Sequence, residues 1–275
     1  MLSIIIVNYK NPPLLRLCLT SLVRNLSKDF PYEIIVIDSQ STVETRNVVR
    51  EEFQNVSNKI KLIPFEKNIG YTRGVNEGIG VSSGKYIINI NPDIVIQKHA
   101  LEQMTAFIAA HPKIGLLGPR LLNFNDTTQQ SCFRFYTPLT ILYRRINHLP
   151  FASKILNKFL LKDKNFKDPL PVDWIMGSAL LTTKEAINKV GTMDEQFFLY
   201  MSEVDWARRF WENGYTVLYY PCASFYHYHK RESKGRFGIF DIVIKRETRL
   251  HFTDAFRYFR KHGIKSTLSG NKPGS

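Results

Sequence analysis

Short, continuous runs of β-branched residues alternate with helix-length amphipathic segments through the first third of the chain, and few folds accommodate that pattern. Leu2–Val7 reads as a buried strand, Pro12–Leu26 as a helix with Leu15, Leu19, Leu22 and Leu26 on one face, and Glu33–Ile37 as a second strand. Val43–Phe53 then reads as a helix, Lys59–Pro64 as a strand, Thr72–Val81 as a helix and Lys85–Ile90 as a fourth strand. Strands with no polar face must be covered on both sides, which in practice means parallel βαβ units with helices on each face of the sheet. Right-handed crossovers then predict an open, Rossmann-like, mostly parallel α/β sheet that takes ligands beyond the carboxyl ends of its strands.

Further on, the spacing predicts a helix over His99–Ala110, extended chain over Ile114–Leu122 and a basic, irregular or helical stretch over Leu139–Lys167. Strand pattern returns at Val172–Thr182, followed by helices at Lys184–Lys189 and Ser202–Asn213 and strands at Tyr215–Tyr220 and Ser224–His229. The segment from Lys230 onward carries twelve Lys and Arg against four acids, and Phe237–His262 reads as a helix in which Phe240, Ile244, Phe252, Phe256 and Phe259 interleave with bases. Across the whole chain 38 Lys and Arg oppose 24 Asp and Glu, a net +14 that favours anionic partners: nucleotides, nucleic acid or an acidic membrane. A 44% hydrophobic content argues against disorder. The three cysteines, Cys18, Cys132 and Cys222, form neither a disulfide framework nor a zinc pattern, which suits a reducing compartment. No secretory leader is legible, and no uncharged apolar stretch reaches the roughly 18–20 residues of a membrane span. A soluble or surface-attached protein is expected.

The residues that follow each expected strand carry the chemistry. Asn8 follows the first, Asp38 with Ser39 and Ser41 the second, and Asn91-Pro92-Asp93 the fourth. Asp38 and Ser41 would serve equally as caps of the next helix, but amides, hydroxyls and carboxylates at three strand ends also suit a ligand site. Asn68–Gly78 sets glycines at 70, 74 and 78, where Gly74 and Gly78 share a helix face and permit close packing on the sheet. The same turn could hold a nucleotide, with Arg73 near phosphate and Asn68 or Asn76 near base or ribose. It is not the dinucleotide fingerprint, and no phosphate loop ending in Gly-Lys-Ser/Thr is present. Asp93 is the natural ligand for a divalent ion bridging a diphosphate, or else a turn residue. His227 and His229 point to one face of a strand and could join Asp93 only if the fold closes. In Met193–Arg209, Ser202 and Asp205 fit a helix capping box. Glu203 is left without a structural task, and a carboxylate so placed can act as a general base.

Five blocks in order give the chain a family likeness: Ile6-Val-Asn-Tyr9; Val36–Ser41; Asn68–Gly78; Asn89–Asp93; and Gly177–Ser233, which includes Gly191–Glu195, Phe197–Tyr200, Glu203-Val-Asp205, Arg209, Pro221 and His227. The chain resembles the family-2 inverting glycosyltransferases with the GT-A fold, most closely their rhamnosyltransferase-like branch, from residue 3 to about 233. The resemblance implies that Asp38 contacts a nucleobase with Asn8 and Ser41 nearby. It places Asn68, Gly70, Arg73, Asn76, Asn91 and Gly177 in the nucleotide-sugar pocket. It puts Asp93 and His227 at a Mg²⁺ or Mn²⁺ ion beside the diphosphate, and makes Glu203 the general base, with Asp205 as the alternative. Two positions depart from the family pattern: Asn91 replaces the first metal aspartate, and Ser202-Glu203 stands where Glu-Asp precedes Val-Asp.

These readings imply a GT-A catalytic domain over 1–235, with a nucleotide-sugar-binding half at 1–93 and an acceptor-binding half at 94–235, followed by a basic, aromatic helical extension over 236–275. The expected activity is transfer of a sugar from a nucleoside diphosphate donor, dTDP-rhamnose or a UDP-sugar, to a glycan or lipid-linked glycan hydroxyl. The expected place is the cytoplasm, with the basic helix suited to the anionic inner face of the membrane or, equally, to packing on the catalytic core. A nucleotidyltransferase would want a Gly- and Lys-rich triphosphate loop after the first strand, where only Asn8–Pro12 stands. A specific nucleic-acid binder would want an aromatic RNA-binding signature or a helix-turn-helix, and neither is present. A binder of nucleotide sugars without turnover remains a third reading.

Overall fold

The computed structural model describes residues 1–53, 56, 59–144, 150–228 and 246–264. The N-terminal half runs β1 (Leu2–Tyr9), α1 (Pro12–Asn25), β2 (Tyr32–Ser39), α2 (Val43–Asn47), β3 (Ile60–Pro64), α3 (Tyr71–Val81), β4 (Tyr86–Ile90). It continues through β5 (Ile94–Ile96), α4 (Ala100–Ala110), β6 (Ile114–Leu122), β7 (Cys132–Phe133), α5 (Pro138–Tyr143), α6 (Pro150–Phe159), β8 (Leu170–Pro171) and β9 (Trp174–Ile175). The chain then forms β10 (Ala179–Thr183), α7 (Lys184–Val190), α8 (Ser202–Glu212), β11 (Thr216–His227) and α9 (Arg246–His262).

Eight strands lie in the order β3-β2-β1-β4-β10-β6-β11-β5, with β8 added on β11. Six of these nine run in one direction; β10, β5 and β8 oppose them. The expected parallel βαβ half is therefore present as β3-β2-β1-β4. Alternate residues of β1 serve opposite cores, as a strand covered on both faces requires. Ile4 and Ile6 lie on the face whose core includes Leu15, Leu19 and Leu22 of α1 and, farther across the sheet, Met104 and Ile108 of α4. Ile5 lies on the opposite face, whose core includes Val75 and Ile79 of α3 and, farther across the sheet, Trp206 and Phe210 of α8. Gly74 and Gly78 let α3 lie directly on that face: a Cβ at either would come within 2.7 Å of Val7 or 2.4 Å of Ile5.

Three expected elements differ. The helix over Val43–Phe53 is regular only to Asn47 and continues as a wider π-type turn over Val48–Glu52. The two strands expected at Tyr215–Tyr220 and Ser224–His229 are the single strand β11, whose register against β6 shifts between Tyr220 and Ser224. Pro221 falls there, and its lack of an N–H breaks the ladder without ending the strand. Val172–Thr182 is interrupted at residues 176–178, which separate β9 from β10.

The C-terminal helix packs on the core. In α9 Asp254, Ala255 and Tyr258 are buried, Phe252 and Phe259 lie partly buried against the α8 core, and of the described aromatics there only Phe256 is mostly exposed, at 69%. Phe240, Ile244 and His229 lie outside the described residues. Among the described residues no helix is long and apolar enough to cross a membrane.

Candidate active site

The parallel ladder aligns the strand ends that carry polar residues. Asn8 stands opposite Asp38 in the β1–β2 register, and both are fully buried. Asn8 Nδ2 donates to Asp38 Oδ1 at 2.8 Å. Asn8 Oδ1 and Asp38 Oδ2 find no protein hydrogen-bond partner. Helix α2 is capped by Thr42, whose hydroxyl accepts from Thr45 N–H, so neither Asp38 nor Ser41 is spent as a cap. Ser41 Oγ instead accepts from Arg46. Two buried acceptor oxygens left over at a strand end are costly unless a donor reaches them.

Asn68 shapes the entry to α3. Its Oδ1 accepts from Ser39 Oγ at 3.1 Å and from Gly70 N–H at 2.9 Å. Gly70 adopts φ +81°, and a Cβ there would come 2.7 Å from the ring of Phe198, so only glycine serves that close approach. Asn76 is committed elsewhere than the base or ribose. It donates to Met193 O and Glu195 Oε1 and accepts from Met193 N–H, bolting the 191–201 loop to α3. Arg73 faces solvent and pairs with Glu77.

Antiparallel pairing of β10 on β4 and of β5 on β11 closes the sheet around the Asn91–Asp93 turn. Asn91 N–H donates to Ser178 O at 2.9 Å. His227 stands opposite Ile94, one residue past Asp93. His227 Nε2 lies 3.5 Å from Asp93 Oδ2 and 3.3 Å from Ser178 Oγ. The ring is oriented by Gln129. Gln129 Nε2 donates to His227 O and to Asn123 Oδ1, each at 2.8 Å, which turns its Oε1 toward His227 Nδ1 at 2.8 Å. Nδ1 therefore donates to Gln129, which leaves Nε2 directed at Asp93, the orientation a metal-binding imidazole needs. Among the described residues no group of three or more His, Cys, Asp or Glu side chains could hold a metal ion. Asp93 and His227 fit an ion that draws its remaining ligands from phosphate oxygens, as Mg²⁺ and Mn²⁺ do.

Gly177 lies beside this turn. Its carbonyl accepts from Tyr71 OH at 2.7 Å and from Asn89 Nδ2 at 2.9 Å, and Asn89 also donates to Tyr71. Tyr71 in turn feels Glu203: burial first, and then the Glu203 charge, hold its hydroxyl well above the usual range. Glu203 opens α8. The expected capping box is absent, because Met201 takes the left-handed conformation (φ +64°) and starts the helix at Ser202, whose hydroxyl reaches Glu203 instead. Burial pushes the Glu203 carboxyl up to about 7; its own backbone N–H and Ser202 act against this, and Asp254 of α9 adds to it. Asp205 is different. It is fully buried and meets Arg209 at 2.9 Å, Lys261 at 2.7 Å and His262 at 2.7 Å. Burial alone would raise it, but the His262 hydrogen bond and the two cations hold it at about 2.

The loop between these carboxyls and α3 is fixed from three sides. Arg209 donates to Val190 O and Thr192 O, Trp206 Nε1 to Gly191 O, and Asp254 accepts from Tyr200 N–H. Sequence reasoning did not single out Gln129, Ser178, Tyr71 or Asp254 for the site. Tyr71 was in view within the Asn68–Gly78 block, whereas no local pattern marks Gln129 or Asp254.

The family model described as glycosyl transferase family 2 matches residues 3–176. An N-acetylglucosaminyl-diphospho-decaprenol L-rhamnosyltransferase of Mycobacterium tuberculosis is 28% identical over 250 residues, covering 86% of this chain and 78% of its own length. Rhamnosyltransferase WbbL of Escherichia coli K12 is 23% identical over 286 residues, covering all of this chain and 98% of its own. In fold the chain is similar to the crystal structure of GalNAc-T7 with UDP, GalNAc and Mn²⁺, at a TM-score of 0.67 and 16% identity over 86% of this chain and 44% of that one. The sheet has the GT-A architecture of such enzymes. With that fold, those relatives and a family match over more than half its length, the chain is a glycosyltransferase belonging to glycosyl transferase family 2.

Proposed function

We propose that the protein transfers a sugar, with inversion, from a nucleoside diphosphate donor to a hydroxyl of a glycan or lipid-linked glycan, in the synthesis of a surface polysaccharide. The observation that carries this reading is the contrast within one helix turn: Glu203 at about 7 and Asp205 at about 2. Two carboxyls pushed apart by their surroundings mark separate roles. Glu203 is suited to take a proton near neutrality, whereas Asp205 is locked in an ion network and holds α8 to α9.

Asp38 Oδ2 and Asn8 Oδ1 suit the ring N–H of a uracil, thymine or guanine base, which adenine lacks. Asn68 and Gly70 bring the α3 N-terminus to the strand ends, where the helix dipole favours a phosphate. Asp93 and His227, with Asn91 alongside, would hold a Mg²⁺ or Mn²⁺ ion, whose charge neutralises the leaving diphosphate. Glu203 accepts the proton of the attacking hydroxyl as that oxygen closes on the anomeric carbon from the side opposite the leaving group. A single displacement of this kind inverts the anomeric centre and forms no covalent enzyme intermediate. The rhamnosyltransferase names among the relatives support dTDP-rhamnose as the donor, and the UDP in the GalNAc-T7 structure supports a UDP-sugar.

Glu203→Gln keeps shape and removes the base. With dTDP-rhamnose and UDP-sugars as donors and lipid-linked glycan as acceptor, nucleoside diphosphate release should fall about 10²–10⁴-fold with donor affinity near wild type. Donor affinity falling in parallel with turnover would make Glu203 a structural residue and remove the mechanism.

A further inference from the structure

Outside the strand-end site lies a cavity of about 560 Å³ that the transfer reaction, as derived above, does not use. It opens between the 128–132 segment, after β6, and the 162–167 turn, after α6. Arg120, Lys162, Lys164 and Lys167 line it, and no carboxylate does. Lys164 is paired with Asp163 of its own turn, and Arg120 gives its Nε–H to Ser224. Lys162 and Lys167 have no ion pair among the described residues, and both are exposed. Four cations around one concavity repel one another unless an anion enters, and the low-dielectric walls strengthen the field inside.

The rest of the lining is selective. Phe166, half-buried, meets the buried Tyr219 edge to face with ring centroids 5.7 Å apart, forming an apolar wall against which a sugar ring can lie. Ser131 lines the same cavity; its hydroxyl is buried with no hydrogen-bond partner. The turn that presents the lysines is built in advance: Asn165 Oδ1 accepts from Lys167 N–H at 3.0 Å, and Leu161 O from Lys164 N–H at 3.0 Å. The cavity also adjoins the strand-end site through one residue. Gln129 lines it and, through the same amide, orients His227.

We propose that this cavity binds the phosphate of a glycosyl phosphate in the acceptor, with the lysines and Ser131 on the phosphoryl oxygens and the Phe166–Tyr219 wall against the sugar. This rests on the glycosyltransferase reading and extends it: the preferred acceptor is anionic, and its charge is recognised apart from the donor's diphosphate. Because the cavity holds no carboxylate, binding there needs no metal ion, which separates it from the Asp93–His227 site.

The test is calorimetry in EDTA with two probes, N-acetylglucosamine 1-phosphate and inorganic phosphate. Proteins are the wild type, the Lys162→Ala/Lys167→Ala double variant and Asp38→Ala, and UDP or dTDP with Mn²⁺ is titrated separately. The sugar phosphate should bind wild type and Asp38→Ala alike, about tenfold more tightly than inorganic phosphate. The double variant should lose about tenfold in that affinity and keep its affinity for the nucleotide with Mn²⁺. No binding, equal affinity for the two probes, no effect of the double variant, or loss in Asp38→Ala would each overturn the assignment. Failure of the glycosyltransferase reading would show separately, as wild-type protein that binds no nucleotide with Mn²⁺.

Discussion

Glu203 and Asp205 stand two residues apart, yet their surroundings separate them by about five pH units. A base that must lose a proton near 7 gives a rate that depends on pH in one direction. Below about 7 Glu203 is protonated, so kcat/KM should fall close to tenfold per pH unit, and above 7 it should reach a plateau. A pH–rate profile checks this; a flat profile from pH 5.5 to 8 would mean that Glu203 does not titrate in the reaction. Asp205 runs the other way in stability. Its folded-state pKa lies below the ordinary 3.8, so its contribution of about 2 kcal/mol is present above pH 4 and is lost as pH falls toward 2. At this scale the sequence marked the carboxyls and the strand-end residues, because type and spacing are local. It could not separate Glu203 from Asp205, because two of the partners that hold Asp205 down, Lys261 and His262, lie more than fifty positions away.

At the level of elements, α8 works as a platform whose first turn holds Glu203, the proposed base, and whose buried face is tied to α9. Asp205→Asn removes the charge that Arg209, Lys261 and His262 share, and should destabilise the fold by about 3 kcal/mol, the low end for a buried pair because Lys261 and Arg209 are partly exposed. A thermal melt compared with wild type checks it, and an unchanged Tm would show that the network adds nothing. The βαβ elements were legible because apolar strands and amphipathic helices repeat with their own periods. The expected capping box is absent because Met201, a residue with no preference for positive φ, takes the left-handed conformation, which no local pattern announces. The closure that brings His227 to Asp93 could not be read either, since it depends on antiparallel pairing of β5 with β11, across a separation of some 130 residues.

In the molecule as a whole the C-terminal helix is tied to α8 and to the loop that precedes it. Residues 236–275 read in sequence as a basic, aromatic helical extension suited equally to a membrane surface and to the core, because aromatic and basic residues alternate in a surface anchor and in a helix packed on a core alike. The buried Asp254, Ala255 and Tyr258 show the second pattern for the described part. Deleting residues 246–275 should therefore lower the Tm by several degrees and remove activity even on soluble acceptors, measured by melting and by nucleotide release; a truncated chain as stable and active as the full one would contradict the packing. A metal-assisted nucleotide site at the strand ends is tested by calorimetry of UDP, dTDP and GDP with and without Mn²⁺. One nucleotide should bind tightly with Mn²⁺, lose about tenfold or more in affinity in Asp38→Ala, and lose its metal dependence in Asp93→Ala. Folded protein that binds none of the three, or binds one equally well in both variants, would contradict it.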